Sequence, residues 1–143
     1  MGLITDFVVA SDSEAKAIGQ SERPADKWPT FEARRVETIK LAYLYCVATG
    51  SRYSDEIAGS FSFVGGDQEE GPWVFQFPTS VLQIIAGIED TKVSSIAEKW
   101  ILTEEFQRDK WTVEGAADFI EQLRNLARQA VKNGLSLFLW VCL

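Results

Sequence analysis

The sequence contains no histidine. That single absence excludes Ser-His-Asp and Cys-His nucleophile systems, imidazole acid–base chemistry and every zinc site with a histidine ligand. Cysteine is scarce as well. Cys46 and Cys142 both sit among apolar residues, with no partner at metal-ligand spacing, and read as buried, reduced thiols. There is no Walker loop, no G-x-G-x-x-G, no C-x-x-C and no EF-hand loop. No apolar run approaches the roughly 18 residues that a membrane span needs. The opening MGLITDFVVASDSEAKAIG lacks a basic leader and carries Asp6 inside its apolar stretch, so no signal peptide is expected. Asp6 also stands where a myristoylation signal prefers Ser or Thr. These absences point to a cytoplasmic protein with no metal, cofactor or membrane partner. Any catalysis would fall to carboxylates, Lys, Tyr or Ser.

What is present favours a packed core. The 143 residues are 46% apolar and 24% charged, with five Trp and nine Phe, which argues against disorder and for one domain spanning 1–143. LITDFVVA (3–10) reads as a strand. Ser11 and Glu14 form a capping box for a short helix to about Gln20. A loop follows with two prolines, and Trp28 is expected to tuck back from it. VETIKLAYLYCVATG reads as a helix with Val36, Ile39, Tyr43, Cys46 and Val47 inward, the stripe widened by Leu41 and Leu44, and ended by Gly50. FSF and WVFQF alternate, so a hairpin would put Phe61, Phe63, Trp73, Phe75 and Phe77 on one core face. Val64, Val74, Ser62 and Gln76 would lie on the other, less apolar face.

Pro78 suits a helix first turn. Asp90 or Thr91 can cap a helix running through KVSSIAEKWIL, and Thr112 opens the longest helix, which Asn133 and Gly134 end. In its last turn Arg128 and Lys132 suit the helix dipole. The closing SLFLWVCL is apolar on both faces, so it must be covered on both and belongs inside the sheet beside the first strand. The expected architecture is α+β: about four strands, including both terminal ones, covered by about five helices.

The two ends, MGLITDFVVASDSEAKAI and LRNLARQAVKNGLSLFLWVCL, resemble the YfbM-like family of uncharacterised bacterial proteins. The likeness rests on a short apolar strand leading to a DSE-type helix start, and on a long helix, a Gly-containing turn and an apolar terminal strand. It implies a fold and a bacterial origin, and no activity.

Charge is unevenly spread. The net charge is −7, yet from Tyr53 to Thr91 there are seven acids and no Lys or Arg, while the rest of the chain carries 14 of each sign. Asp55, Glu56, Asp67, Glu69 and Glu70 are therefore candidate partner-binding residues, suited to a basic protein and unsuited to nucleic acid. The competing reading is a solvated loop that keeps a hairpin tip soluble. GGDQEEG has the carboxylates for calcium, but its spacing matches no known loop. Glu105 and Asp109 would share a helix face and could split their pKa values for acid–base work, although Arg108 and Lys110 make an ordinary mixed surface equally apt.

The composition suits a small non-catalytic interaction domain, in the general manner of immunity proteins. The alternative is a small-molecule or cation-binding protein, or a weak carboxylate hydrolase. Monomer and homodimer remain open.

Overall fold

A strand that is apolar on both sides has one stable place, the middle of a sheet covered on both faces. The structure, a computed structural model, describes residues 3–106 and 109–143. β5 (Ser136–Cys142) occupies that place in a five-stranded antiparallel sheet of order β2-β1-β5-β4-β3. The others are β1 (Ile4–Ala10), β2 (Thr30–Phe31), β3 (Ser62–Gly66) and β4 (Trp73–Gln76). β1 pairs along all of β5, from Ile4 opposite Cys142 to Ala10 opposite Ser136, and β4 places Phe75 opposite Leu139 on the other side. Leu137, Leu139 and Val141 turn to one face and Phe138 and Trp140 to the other, and all five are buried.

The larger face carries α2 (Thr38–Thr49), α4 (Thr79–Ala86), α5 (Val93–Ile101) and α6 (Val113–Lys132). Of the apolar stripe that the spacing of α6 predicts, Ala116, Ile120, Leu123, Ala127 and Ala130 are buried with the flanking Phe119 and Leu126, whereas Val113 at the start is half-buried and Val131 in the last turn is exposed. Thr112 caps it, its Oγ1 accepting the Gly115 N–H at 3.0 Å. Arg128 does not serve its own helix end. It donates to the carbonyls of Ala86, the last residue of α4, at 2.8 Å and of Ile88, just beyond it, at 2.9 Å. Asp90 opens a single 3-10 turn ahead of α5 and pairs with Arg124 at 2.6 Å.

α2 buries only part of its expected stripe. Leu41, Ala42, Leu44 and Cys46 are buried, whereas Ile39, Tyr43 and Val47 are only half-buried. The helix is apolar nearly all round, so periodicity alone does not select a face. Pro78 precedes α4 as its cap, with ψ 146. The fifth strand, β2, consists of two residues paired with Phe7 and Val8.

The smaller face is closed by α1 (Ala15–Gly19), whose Ala15 and Ile18 pack with Val8, Val74, Phe138 and Trp140. Val74 is therefore wholly buried, on the face expected to be less apolar. The approach is close: a Cβ on Gly19 would come within 2.3 Å of the Gly66 nitrogen, and one on Gly65 within 2.6 Å of the Ala15 carbonyl oxygen. Gly19 and Gly65 thus let α1 and the end of β3 meet backbone to backbone. Glu14 accepts the Ser11 N–H at 3.1 Å and the Trp28 indole N–H at 2.8 Å, pinning the 21–29 loop to the helix start.

The five aromatic rings do not share one fate. Phe61 and Phe77 are core residues and pack edge-on at 4.9 Å. Trp73 and Phe75 are half-buried, and Phe63 is 37% exposed. A bulge between Phe63 and Gly65 carries this end of the hairpin past the helices.

Candidate functional site

The acidic residues of 53–91 occupy two places. Asp55 and Glu56 form the first turn of α3 (Asp55–Gly59), where Ser54 caps the helix and both acids favour its dipole. Asp67, Glu69 and Glu70 lie in the turn between β3 and β4. β3 separates the groups, since its five residues rise by roughly 13 Å from first to last. All five acids are exposed.

The turn is built by its own acid. Asp67 accepts the N–H groups of Glu69 at 2.8 Å and Glu70 at 3.3 Å through one carboxylate oxygen, and its carbonyl accepts the Gly71 N–H at 2.9 Å. The Trp73 indole donates to the Gln68 carbonyl at 3.0 Å. Asp67 therefore shapes the loop, and Glu69 and Glu70 are the carboxylates left to face outward.

At the α3 end the fold assembles something that neither segment shows alone. Tyr43 of α2 and Tyr53 stack at 4.1 Å with their planes 15° apart. Burial raises the Tyr53 phenol to about 12, helped by a hydrogen bond to Asp55 and by the charge of Glu105. Tyr43 is also raised, first by burial and then by Glu104, Glu105 and Asp55. The negative charges of Asp55, Glu104 and Glu105 thus act on the tyrosine pair.

Glu105 and Asp109, the weak catalytic candidates, both line a cleft of about 270 Å³ with Leu3, Arg35, Glu37 and Lys40. Their environments do not make an acid–base pair. The Lys40 ammonium, 7% exposed, donates to the Asp109 carboxylate and to the Arg35 carbonyl at 2.6 Å, and lies 4.9 Å from the Phe106 ring centroid. Arg35 adopts φ 62, a left-handed backbone uncommon for a non-glycine residue. Glu37 accepts the Ile39 N–H at 2.9 Å at the start of α2. Asp109 is committed to an internal ion pair, and Glu105 stands exposed beside it. Arg108 lies outside the described residues.

Among the described residues no group of three or more Cys, Asp or Glu gathers as metal ligands, and no helix is long and apolar enough to cross a membrane. Both cysteines are free; Cys46 belongs to α2 on the larger face, and Cys142 packs on the smaller. In the sequence Tyr43, Tyr45 and Tyr53 could line a pocket but nothing in their spacing selects them; the fold brings Tyr43 and Tyr53 together. Sequence reasoning missed Asp6, which is 3% exposed and pushed up from 3.8 to about 6, chiefly by burial.

No family model, no curated protein and no solved structure matches the chain.

Proposed function

We propose that this protein is a non-catalytic interaction domain that holds a basic protein partner against its acidic 53–91 surface. The observation that carries the reading is the segregation of charge: seven acids and no base in 39 consecutive residues. Asp55, Glu56, Asp67, Glu69 and Glu70 are all solvent-exposed, which supports it. The charges of Asp55, Glu104 and Glu105 around the stacked Tyr43 and Tyr53 extend the same character. A bacterial, cytoplasmic, immunity-like protein that blocks a basic site on its target fits this surface. Such a complex forms quickly at low salt and weakens as salt screens the charges.

The test is capture of a basic protein by the immobilised chain, compared with a Glu56→Gln/Glu69→Gln/Glu70→Gln variant. Asp67 is left intact because it shapes the loop. The variant should melt at the same temperature and lose the partner, and high salt should release the partner from the native chain. Capture that survives both treatments removes the acidic surface from consideration.

The alternative, a cation- or small-molecule-binding protein or a weak carboxylate hydrolase, draws support from the cleft shared by Glu105 and Asp109. It requires calcium, magnesium or a screened ligand to raise the melting temperature. The Asp109–Lys40 pair weighs against the hydrolase form, because the carboxylate is already neutralised.

A further inference from the structure

On the smaller face of the sheet, α1 covers Val8, Val74, Phe138 and Trp140. Alternation along β1 puts Ile4 and Asp6 on the same face as Val8. There a cavity of about 310 Å³ opens, lined by Ile4, Asp6, Glu32, Ala33 and Arg34. The register sets these side chains next to one another. Phe7 pairs with Phe31, Val8 with Thr30 and Ile4 with Arg34, so Asp6 stands opposite Glu32. On its other side Asp6 pairs with Trp140 of β5. Side chains opposed in this way have Cβ atoms about 5 Å apart.

The charges on this wall are not matched. Asp6 is 3% exposed and forms no ion pair among the described residues. The Ala33 N–H that its carboxylate accepts leaves further acceptor sites open. The Trp140 indole N–H beside it is buried without a hydrogen-bond partner, so it does not quiet the carboxyl either. Arg34 is exposed at the cavity and forms no ion pair among the described residues. Glu32 is bound to Arg23 at 2.9 Å. One cavity thus presents a carboxyl group and a guanidinium that are paired neither with each other nor with another charge.

An unmatched buried carboxylate is costly, and a like charge directly across the strand pair adds to the cost. A cation seated between Asp6 and Glu32 removes both penalties. Calcium is poorly served, because it takes six to eight oxygens and, among the described residues, no three acidic groups gather. An ammonium group needs only two or three acceptors. Arg34 supplies the donor for a carboxylate on the same molecule, and Ile4 supplies an apolar wall. The volume lies at the small end of ligand sites, which suits a molecule of few atoms.

We propose that the cavity beside Asp6 binds a free α-amino acid with a small apolar side chain, its ammonium held by Asp6 and Glu32 and its carboxylate by Arg34. The site lies on β1 and residues 32–34, outside the acidic 53–91 segment, and does not depend on the role given to that segment.

The probe is L-leucine, titrated to millimolar concentration at pH 7 and followed by amide NMR shifts. L-Leucinamide keeps its ammonium and lacks its carboxylate; 4-methylpentanoate keeps the carboxylate and lacks the ammonium. Leucine should shift Ile4, Asp6, Glu32, Ala33 and Arg34. Leucinamide should bind about tenfold more weakly, the worth of one charge-assisted contact, and 4-methylpentanoate should not bind. Asp6→Asn keeps the shape, relieves the buried charge and should abolish leucine binding. Arg34→Gln, at an exposed position, should bring leucine down to the affinity of leucinamide and leave leucinamide unchanged. Leucine affinity should fall about tenfold from pH 7 to pH 5, as the Asp6 carboxyl, raised by burial to about 6, takes up a proton.

No shift with leucine, shifts centred elsewhere, equal binding by leucinamide or 4-methylpentanoate, or leucine binding that survives Asp6→Asn each overturn the proposal. So does an Asp6 carboxyl that titrates at or below about 4 in the free protein by carbon NMR, because Arg34 would then already neutralise it.

Discussion

Asp6 places a carboxyl group inside a strand that is otherwise packed, and the cost is readable in its proton affinity. Burial dominates and outweighs the Ala33 N–H that the carboxylate accepts, while Glu32 raises it further. A folded value of about 6 against an ordinary 3.8 means the native state binds more protons than the unfolded chain between those limits. Stability at this residue is fullest below 3.8 and is lost as pH rises through 6. Asp6→Asn should therefore stabilise the protein above pH 6, by up to about 3 kcal/mol at roughly 1.4 kcal/mol per pKa unit. The gain should shrink toward zero near pH 4. Urea melts of both chains at several pH values check this, and a gain independent of pH would refute it.

Lys40 and Asp109 make the opposite case, a buried charge that is matched. Asp109→Asn should cost about 3–5 kcal/mol, because it strands the Lys40 ammonium. A Lys40→Met/Asp109→Leu double replacement should lie much nearer the native stability, as measured by denaturant midpoints. A catalytic Asp109 would instead lose activity without this loss of stability.

At the scale of elements, what was legible in the sequence divides by the range of the forces involved. The Ser11–Glu14 cap, the Thr112 cap and the Gly50 and Gly134 ends depend on residues within one turn of each other, and all four hold. The apolar seam of α6 was equally plain, because its polar side is clearly polar. α2 has no such contrast, so its buried face is chosen by what it packs against. β2 has no local signal, since two residues held by Phe7 and Val8 are a strand only because β1 is there. For the same reason the Tyr43–Tyr53 stack and the cavity beside Asp6 could not be read from spacing, whereas the exposed acids of 55–70 could.

Arg128 shows how such long-range contacts stabilise an element. By donating to the Ala86 and Ile88 carbonyls it satisfies groups that the end of α4 leaves open. Arg128→Ala should cost about 1–2 kcal/mol, near the worth of a partly buried contact of a cation with a helix terminus. Hydrogen exchange should locate the loosening at Gly87 and Ile88, whose N–H groups bond back into α4. Arg128→Lys should recover only part of it, because an ammonium lacks the forked geometry that reaches two carbonyls. Exchange that rises equally across α4, α5 and α6 would show a general destabilisation instead.

In the molecule as a whole, the sheet cannot close until the last residues arrive. β5 joins β1, more than 120 residues away in sequence, to β4, and both hydrophobic clusters draw on its side chains. Its apolar pattern already required an interior position, and the register adds that the two covering layers depend on it equally. Leu139 faces the large helical layer and Phe138 the small layer under α1, and both are fully buried. Leu139→Ala should cost about 2–5 kcal/mol and Phe138→Ala about 3–5, as in well-packed cores. Were the smaller layer only a loose cover, Phe138→Ala would cost under about 1 kcal/mol, because its pocket could collapse or admit water. Removal of 136–143 should go further. β1 and β4 would face each other across a missing strand, and both layers would lose their floor. The remaining chain should keep helical circular dichroism, bind a hydrophobic dye and melt without a cooperative transition. A truncated protein that still unfolds sharply at the native temperature would mean that β5 is an accessory to the sheet and that the two layers are held together by something else.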